Sequence, residues 1–486
     1  MKKAYINLIA IATLSCVMYS CTKKFEEINT DPNRPVVAPT TNVLAYIVEN
    51  YANAAFGAGT NMSELETFGG HLGKIQYVDE SRYEFSGTSN TTNWNATFLY
   101  INNALSIIKQ AEADGTPNMQ AAATTMLVYM FQTATDRWRD IPFSEAARGN
   151  EGFITPAYDK QETIYPELVK LLKKAADLFA SGGTDQLGKG DILYGGSTLK
   201  WRKFCNSLRL RLAIRISMID PGTSKSIIEE ITGNPTTYPV FQSNADNAYF
   251  IWSANTPYQE PWFDNSKTRD DHGIAINLVD SLKSLSDPRL TVYAKPAVSD
   301  GQYRGVVIGL PGVVSSIGQY SRIGARFRDV AAGFSPFMGY AEVQFILAEA
   351  ATKGWSTGTT AENAYKNGIT ASLAENGITA SGDVNTYLNS AKVAWNGDVK
   401  QIYMQKWIAL YKNGVEAWAE SRRTDFPLMP AAPGSSYQGH NRPPFRYPYP
   451  PTETTLNGAN SAAFIAEIKD NYWGKKMWWD TRTGVQ

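Results

Sequence analysis

Histidine and cysteine are scarce, with three of each in 486 residues. His71, His272 and His440 stand far apart and share no ligand spacing, and no Cys-x-x-Cys occurs, so metal clusters and redox motifs have little material. An excess of charge of either sign is also missing: 46 Lys+Arg balance 46 Asp+Glu. With no dominant basic stretch, nucleic acid is excluded as the main partner. The chain lacks His-Glu-x-x-His, Gly-x-Ser-x-Gly, a phosphate-binding glycine loop and a dinucleotide fingerprint. Carboxylate pairs such as Asp270/Asp271 are adjacent and point different ways on regular structure, whereas a glycosidase needs two carboxyls ~5–9.5 Å apart across a cleft. The reading is of a protein that is not an enzyme and needs no metal or cofactor; a helical glycoside hydrolase is the minor alternative. What is abundant is aromatic: 12 Trp, 26 Tyr and 20 Phe, within a 43% hydrophobic composition that excludes wholesale disorder.

Long apolar runs are missing too. The only one of note, Ile6–Met18, follows basic Lys2-Lys3 and falls short of the ~20 residues a spanning helix needs. It reads as an export signal over residues 1–20. Ser20-Cys21 then has the form of a lipoprotein cleavage site, which makes Cys21 the lipidation residue. Leu14-Ser15-Cys16 is a rival site, and an ordinary secretory signal is the other reading. A membrane anchor without a span follows. Cys205 is left without a disulfide partner and reads as a buried, inert thiol.

Residues 21–41, with Pro32, Pro35 and Pro39, read as a tether. From 42 to 486 helical periodicity dominates. Leu44, Ile47, Val48 and Tyr51 share one face of a helix over Asn42–Phe56. Further helices are expected at Trp94–Ala113, Met119–Thr135, Glu162–Ala180, Trp201–Met218, Ile274–Leu285, Gly339–Thr352, Ala361–Glu375 and Val399–Glu420. Strands are expected at Ala248–Trp252 and Leu290–Ala294. Leu208 to Leu212 alternates Leu and Arg with period two, the pattern of a strand, yet Trp201, Phe204, Leu208 and Leu212 equally suit a helix. Gly339–Thr352 and Ala361–Glu375, joined by a Gly-rich turn, have the ~34-residue span of a tetratricopeptide hairpin. The fold class is therefore all-α (mainly α), one body of tetratricopeptide-like hairpins carrying a loop-rich insert at about 235–336.

Several local patterns coincide in order along the chain. They are Cys21-Thr22-Lys23-Lys24-Phe25-Glu26-Glu27-Ile28-Asn29-Thr30-Asp31-Pro32-Asn33; Asp140-Ile141-Pro142-Phe143-Ser144-Glu145-Ala146, with Pro156–Tyr165 downstream; Trp201–Ser217; Asp287-Pro288-Arg289-Leu290; Tyr340–Ala350 leading to Gly354-Trp355; Gln405–Tyr411 with Glu416-Ala417-Trp418; and Pro444-Phe445-Arg446-Tyr447-Pro448. Together they resemble the SusD/RagB-type outer-membrane lipoproteins of Bacteroidetes. Arg139 departs from that pattern, standing where Gly is usual, and Cys205 stands where Ala is usual. The resemblance implies that Trp201–Met218 is helical. It also implies a cell-surface-facing outer-membrane lipoprotein that binds oligosaccharide, or in some relatives peptide, and passes it to a SusC-like TonB-dependent transporter.

A sugar ring needs a flat aromatic platform for its C–H face and Asn, Asp, Arg or Gln for its hydroxyl rim. Two clusters have that composition. One comprises Tyr77, Asp79, Arg82, Tyr83 and Trp94, with Asn95 beside the last, although Trp94, at the apparent start of a helix, reads equally as a core anchor. The other lies in the insert and comprises Trp252, Tyr258, Glu260, Trp262, Phe263, Asp264, Asn265 and Arg269, of which Tyr258, Trp262 and Arg269 are the expected ligand contacts. Trp262 sits in turn-like sequence where a large ring is hard to bury. It is expected to face ligand.

Overall fold

The computed structural model describes residues 38–486. The export signal, Cys21 and nearly all of the tether lie outside the described residues. The longer helices are α1 (Thr40–Phe56), α2 (Gly87–Asp114), α3 (Pro117–Trp138), α4 (Gln161–Ala180), α5 (Thr198–Arg215), α6 (Pro221–Gly233), α7 (Tyr340–Thr352), α8 (Ala361–Glu375), α9 (Val399–Ala409) and α10 (Gly414–Thr424). Strands are short: β1 (Leu72–Lys74) pairs antiparallel with β3 (His272–Ile274), and β2 (Ala248–Ile251) with β4 (Phe334–Met338). The fold is mainly α, as the periodicity indicates.

Helices pack in chain order, α2 on α3, α3 on α4 and α4 on α5, while α7 and α8 form a separate hairpin. Their ends follow from the sequence. Ser86 caps α2 by accepting from the Ser89 amide, and Gly115, at φ +64°, stops it. Pro117 opens α3, whose free Asn118 and Met119 amides donate to the Asp185 carboxylate. Thr360 caps α8. On α1 the expected face, Leu44, Ile47, Val48 and Tyr51, is buried.

The Leu208–Leu212 alternation belongs to a helix, and the reason is burial on every side. Leu208, Leu210 and Leu212 are buried, and so are Arg209, Arg211 and Arg215. A helix enclosed all round has no polar face, so the usual period disappears. Its arginines are neutralised by neighbours. Arg211 forks onto Glu342 of α7 at 2.6 Å, and Arg215 onto Glu416 of α10 at 2.6 Å and Glu420 at 3.1 Å. Arg423 closes the set by binding Glu349 at 2.6 Å and Glu420 at 2.8 Å.

Three expectations need correction. Leu290–Ala294 is not a strand: Leu290–Tyr293 is a helical turn, because the Asp287 carboxylate takes the Arg289 amide and Arg289 accepts from Val292 and Tyr293. The expected Val399–Glu420 helix is two helices, α9 and α10. Lys412 lies at φ +77° between them, where Asn61 donates to its carbonyl and accepts from the Gly414 amide. A Cβ on Gly414 would fall 2.6 Å from the Glu66 amide nitrogen, so the close approach requires glycine. Finally, α2 begins at Gly87, two turns before Trp94, because Ser86 caps a polar first turn that reads as loop.

The 235–336 insert has its own apolar centre. Trp262, Ile274, Leu278, Tyr293, Phe327 and Phe334 pack with Trp407, Tyr411 and Met429.

Candidate functional site

The segment from Trp252 to Asp271 lies within the 235–336 insert. The Trp252 amide donates to Gly333 and the Glu260 amide to Ala331, tying both ends of the Ser253–Gln259 turn to one neighbouring loop. Glu260 caps the short helix Pro261–Ser266 by accepting from the Phe263 amide at 2.7 Å, and its other oxygen pairs with buried Lys412 at 2.9 Å. Burial pushes the Lys412 ammonium below its usual range despite the Glu260 charge.

That capped turn drives Trp262 inward. Its side chain is 0% exposed, its indole N–H donates to the Phe56 carbonyl at 2.9 Å, and the Lys412 ammonium sits 5.0 Å from its ring. Trp262 therefore has no face free for a ligand, which corrects the expectation from its turn-like sequence. Proline at the first helical position and a carboxylate cap convert that sequence into a helix start, and a helix start has a buried side.

Tyr77 is the opposite case. It follows β1, where the Ile75 amide donates to Asp271, and adopts φ +49°. A bulky residue in the left-handed region is costly and is held only where its surroundings fix it. The residue is 61% exposed, and its ring is covered on one face by the Arg269 guanidinium at 4.8 Å. Arg269 is set by its amide, which donates to Asn265, and by its carbonyl, which accepts from Arg328 at 2.6 Å. Two residues drawn from different sequence clusters thus form one platform.

Tyr258 borders a recess of about 460 Å³ between this segment and the outer face of α1. Glu49, Asn50 and Asn53 of α1 face Gln259, Asp264 and Asn265 across it, with the Trp252 edge as a wall. Tyr258 is 55% exposed. Glu49, Asn50 and Asn53 did not stand out in the sequence, because polar residues one and four apart on a helix normally mark a solvated face.

The remaining expected residues serve other ends. Tyr83 is buried at φ +71°, and its hydroxyl accepts from the Ala432 amide at 2.8 Å; burial raises its pKa. It is a strut, not a platform. Arg82 spends its Nε–H on the Gly434 carbonyl at 2.7 Å, beside the same loop. Trp94 is 4% exposed and packs edge-on against Trp138 at 5.1 Å, with Phe98 and Tyr449 adjacent. The core-anchor reading holds for it. One edge of Trp94 and the exposed Asn95 reach a separate groove of about 1130 Å³ between α2, α3 and the loop at 143–151.

Buried hydrogen bonds and stacking occupy the histidines. His71 bridges Glu66 at 2.8 Å and the Trp407 carbonyl at 3.0 Å, and His440 stacks on Trp473 at 3.8 Å. Among the described residues, no three His, Cys, Asp or Glu side chains gather as a metal site, and no helix is long and apolar enough to cross a membrane.

A family model named SusD-like and described as "Starch-binding associating with outer membrane" matches residues 32–450. Solved structures align over almost their whole length. A chitin-binding protein is 28% identical, with a TM-score of 0.78 over 91% of this chain and 99% of its own. A chitin-binding SusD homologue from Flavobacterium johnsoniae is 22% identical, with a TM-score of 0.77 over 92% and 98%. A SusD homologue from Bacteroides ovatus is 23% identical, with a TM-score of 0.80 over 91% and 99%. No curated protein matches the chain.

Proposed function

Because the chain belongs to the SusD-like family of outer-membrane-associated binding proteins, we propose that it captures oligosaccharide nutrients on the face built by Tyr77, Arg269 and the Tyr258 recess. It then passes them to a SusC-like TonB-dependent transporter. Members of this family bind rather than catalyse, and the stacking and hydrogen bonding that the proposed face offers suit the same role. The N-terminal organisation completes the reading, with a signal over 1–20, lipidation at Cys21, a tether to residue 41 and one helical body from 42 to 486. The lipid holds the protein to the outer membrane, facing the cell exterior.

The observation that carries this reading is Tyr77, a large ring held exposed at φ +49° with an arginine on one face. Strain kept at an exposed aromatic is costly for folding and is retained where a ligand uses the ring. The similarity to a chitin-binding protein at 28% identity favours a saccharide over a peptide. A glycan array followed by calorimetry tests it. Tyr77→Ala should weaken the glycan found by about tenfold, the effect of one lost stacking contact of ~1.4 kcal/mol. Peptide binding with no glycan binding refutes the oligosaccharide reading, and unchanged glycan affinity in the variant refutes the site.

A further inference from the structure

The recess beside Tyr258 has a charge character that the platform at Tyr77 does not. Its lining holds two carboxylates, Glu49 and Asp264, four amides and no cation. Asp264 already binds Lys267 at 2.8 Å. Glu49, half-buried on α1, has no hydrogen-bond or ion-pair partner among the described residues. Of its neighbours, Gln259 is engaged, donating to the Ala254 carbonyl at 2.8 Å and accepting from Thr256 and Lys267, whereas the three asparagines keep free groups. The Asn50 amide N–H donates to the Tyr46 carbonyl within α1, which leaves its side-chain oxygen open. The Asn265 oxygen accepts from Arg328 at 3.1 Å, which leaves its NH₂ open. The side chains of Asn53 and Tyr258 make no hydrogen bond among the described residues. A volume of about 460 Å³ lies within the ~300–1,000 Å³ usual for small-ligand clefts.

From this arrangement we infer that the recess recognises a sugar unit bearing a free, protonated amine, a hexosamine within the captured oligosaccharide. The Tyr258 ring takes the C–H face and the Asn50, Asn53 and Asn265 amides take the hydroxyls. The Glu49 carboxylate pairs with the ammonium, which an uncharged or N-acetylated sugar cannot offer. An anionic sugar would meet the unpaired Glu49 carboxylate, and the Lys267 ammonium is already held by Asp264 and Gln259. This inference deepens the oligosaccharide reading and rests on it.

The test is calorimetry on the full mature protein with two probes of equal length, a glucosamine oligosaccharide and its N-acetylated counterpart. Glu49→Gln removes the charge, keeps the shape, and disturbs no contact of the fold. The expected result is that the glucosamine oligomer binds about tenfold tighter than the acetylated one, an ion-pair effect of ~1.4 kcal/mol. In Glu49→Gln the glucosamine oligomer weakens by about tenfold, so that the preference over the acetylated one disappears. Equal affinity of the two oligomers, or a preference that survives in Glu49→Gln, overturns the inference yet leaves the oligosaccharide reading standing. Failure of both oligomers to bind, together with binding of a lysine-bearing peptide that depends on Glu49, overturns both.

Discussion

At the residue scale, Arg139 shows how a departure from a family pattern becomes physical. It ends α3 at φ +68°, a conformation natural to glycine, and glycine is usual there in the family the chain resembles. Arginine is held in that geometry by its contacts: its guanidinium donates to both Asp140 oxygens at 2.6 Å and its Nε–H to the Lys476 carbonyl at 2.8 Å. Asp140 in turn caps α4 through the Gln161 amide at 2.9 Å. Arg139→Ala loses the contacts and keeps the strain, whereas Arg139→Gly loses the contacts and relieves it. Stability should therefore rank wild type, then Gly, then Ala, with Gly above Ala by about 1–2 kcal/mol in thermal or urea unfolding. Alanine equal to or above glycine contradicts the argument. Cys205 is a simpler departure. It is fully buried, and desolvation pushes its thiol up to about 11, so the inert thiol expected from its lack of a partner is what the fold contains. Tyr77 and Trp262 divide on what a sequence can carry. Both are aromatic residues in turn-like, polar surroundings, but one is exposed and the other enclosed, and the difference lies in Phe56, Lys412 and Tyr411, which come from distant parts of the chain.

At the element scale, legibility follows amphipathicity and caps. The limits of α8, Ala361–Glu375, were readable because Thr360 caps it and a Gly-rich turn precedes it. Helix α6 was missed although Pro221 opens it and Asp220 caps the Thr223 amide at 3.0 Å. Its Ser, Thr and Gly content resembles a loop more than a helix. In α5 the pattern itself misleads, because ion pairing lets arginines occupy positions normally apolar. These pairs also set what a substitution does. Burial raises the Glu420 carboxyl, but the Arg423, Lys406 and Arg215 charges outweigh it and hold it below the usual carboxylate range. Glu416 is likewise lowered by Arg215 and Arg211 against the effect of burial. Glu416→Gln leaves two buried guanidinium groups short of a counter-charge where α5 meets α10. Removing one partner of a buried pair costs about 3–5 kcal/mol. Urea unfolding should show a loss of that size, and a change under ~1 kcal/mol would mean that Glu342 and Glu420 alone neutralise both arginines.

At the scale of the whole molecule, the helical body and the loop-rich part meet at Glu64. It lies in the wide-turned π-helix Ala58–Leu65 that follows α1, and its carboxylate accepts from the Tyr447 hydroxyl of the C-terminal loop. The Tyr447 backbone amide donates to the Arg137 carbonyl of α3 at 2.7 Å, so three distant segments converge there. The composition gives no warning of such a group, since a lone Glu within a helix reads as surface. Desolvation raises its carboxyl from an ordinary 4.5 to about 7, against the lowering effects of the Tyr447 hydrogen bond and the Arg137 charge. The folded chain thus holds a proton that the unfolded chain gives up between those two values. Stability from this group is complete below about pH 4.5 and is lost as pH rises through about 7. The full loss is roughly 3 kcal/mol. Glu64→Gln keeps an acceptor for Tyr447 and removes the titration. The variant should match wild type in urea unfolding near pH 5 and exceed it by about 3 kcal/mol near pH 8.5. A constant difference between the two proteins across that range would mean that Glu64 ionises in the folded protein as freely as in the unfolded one. The junction would then owe its stability to packing alone.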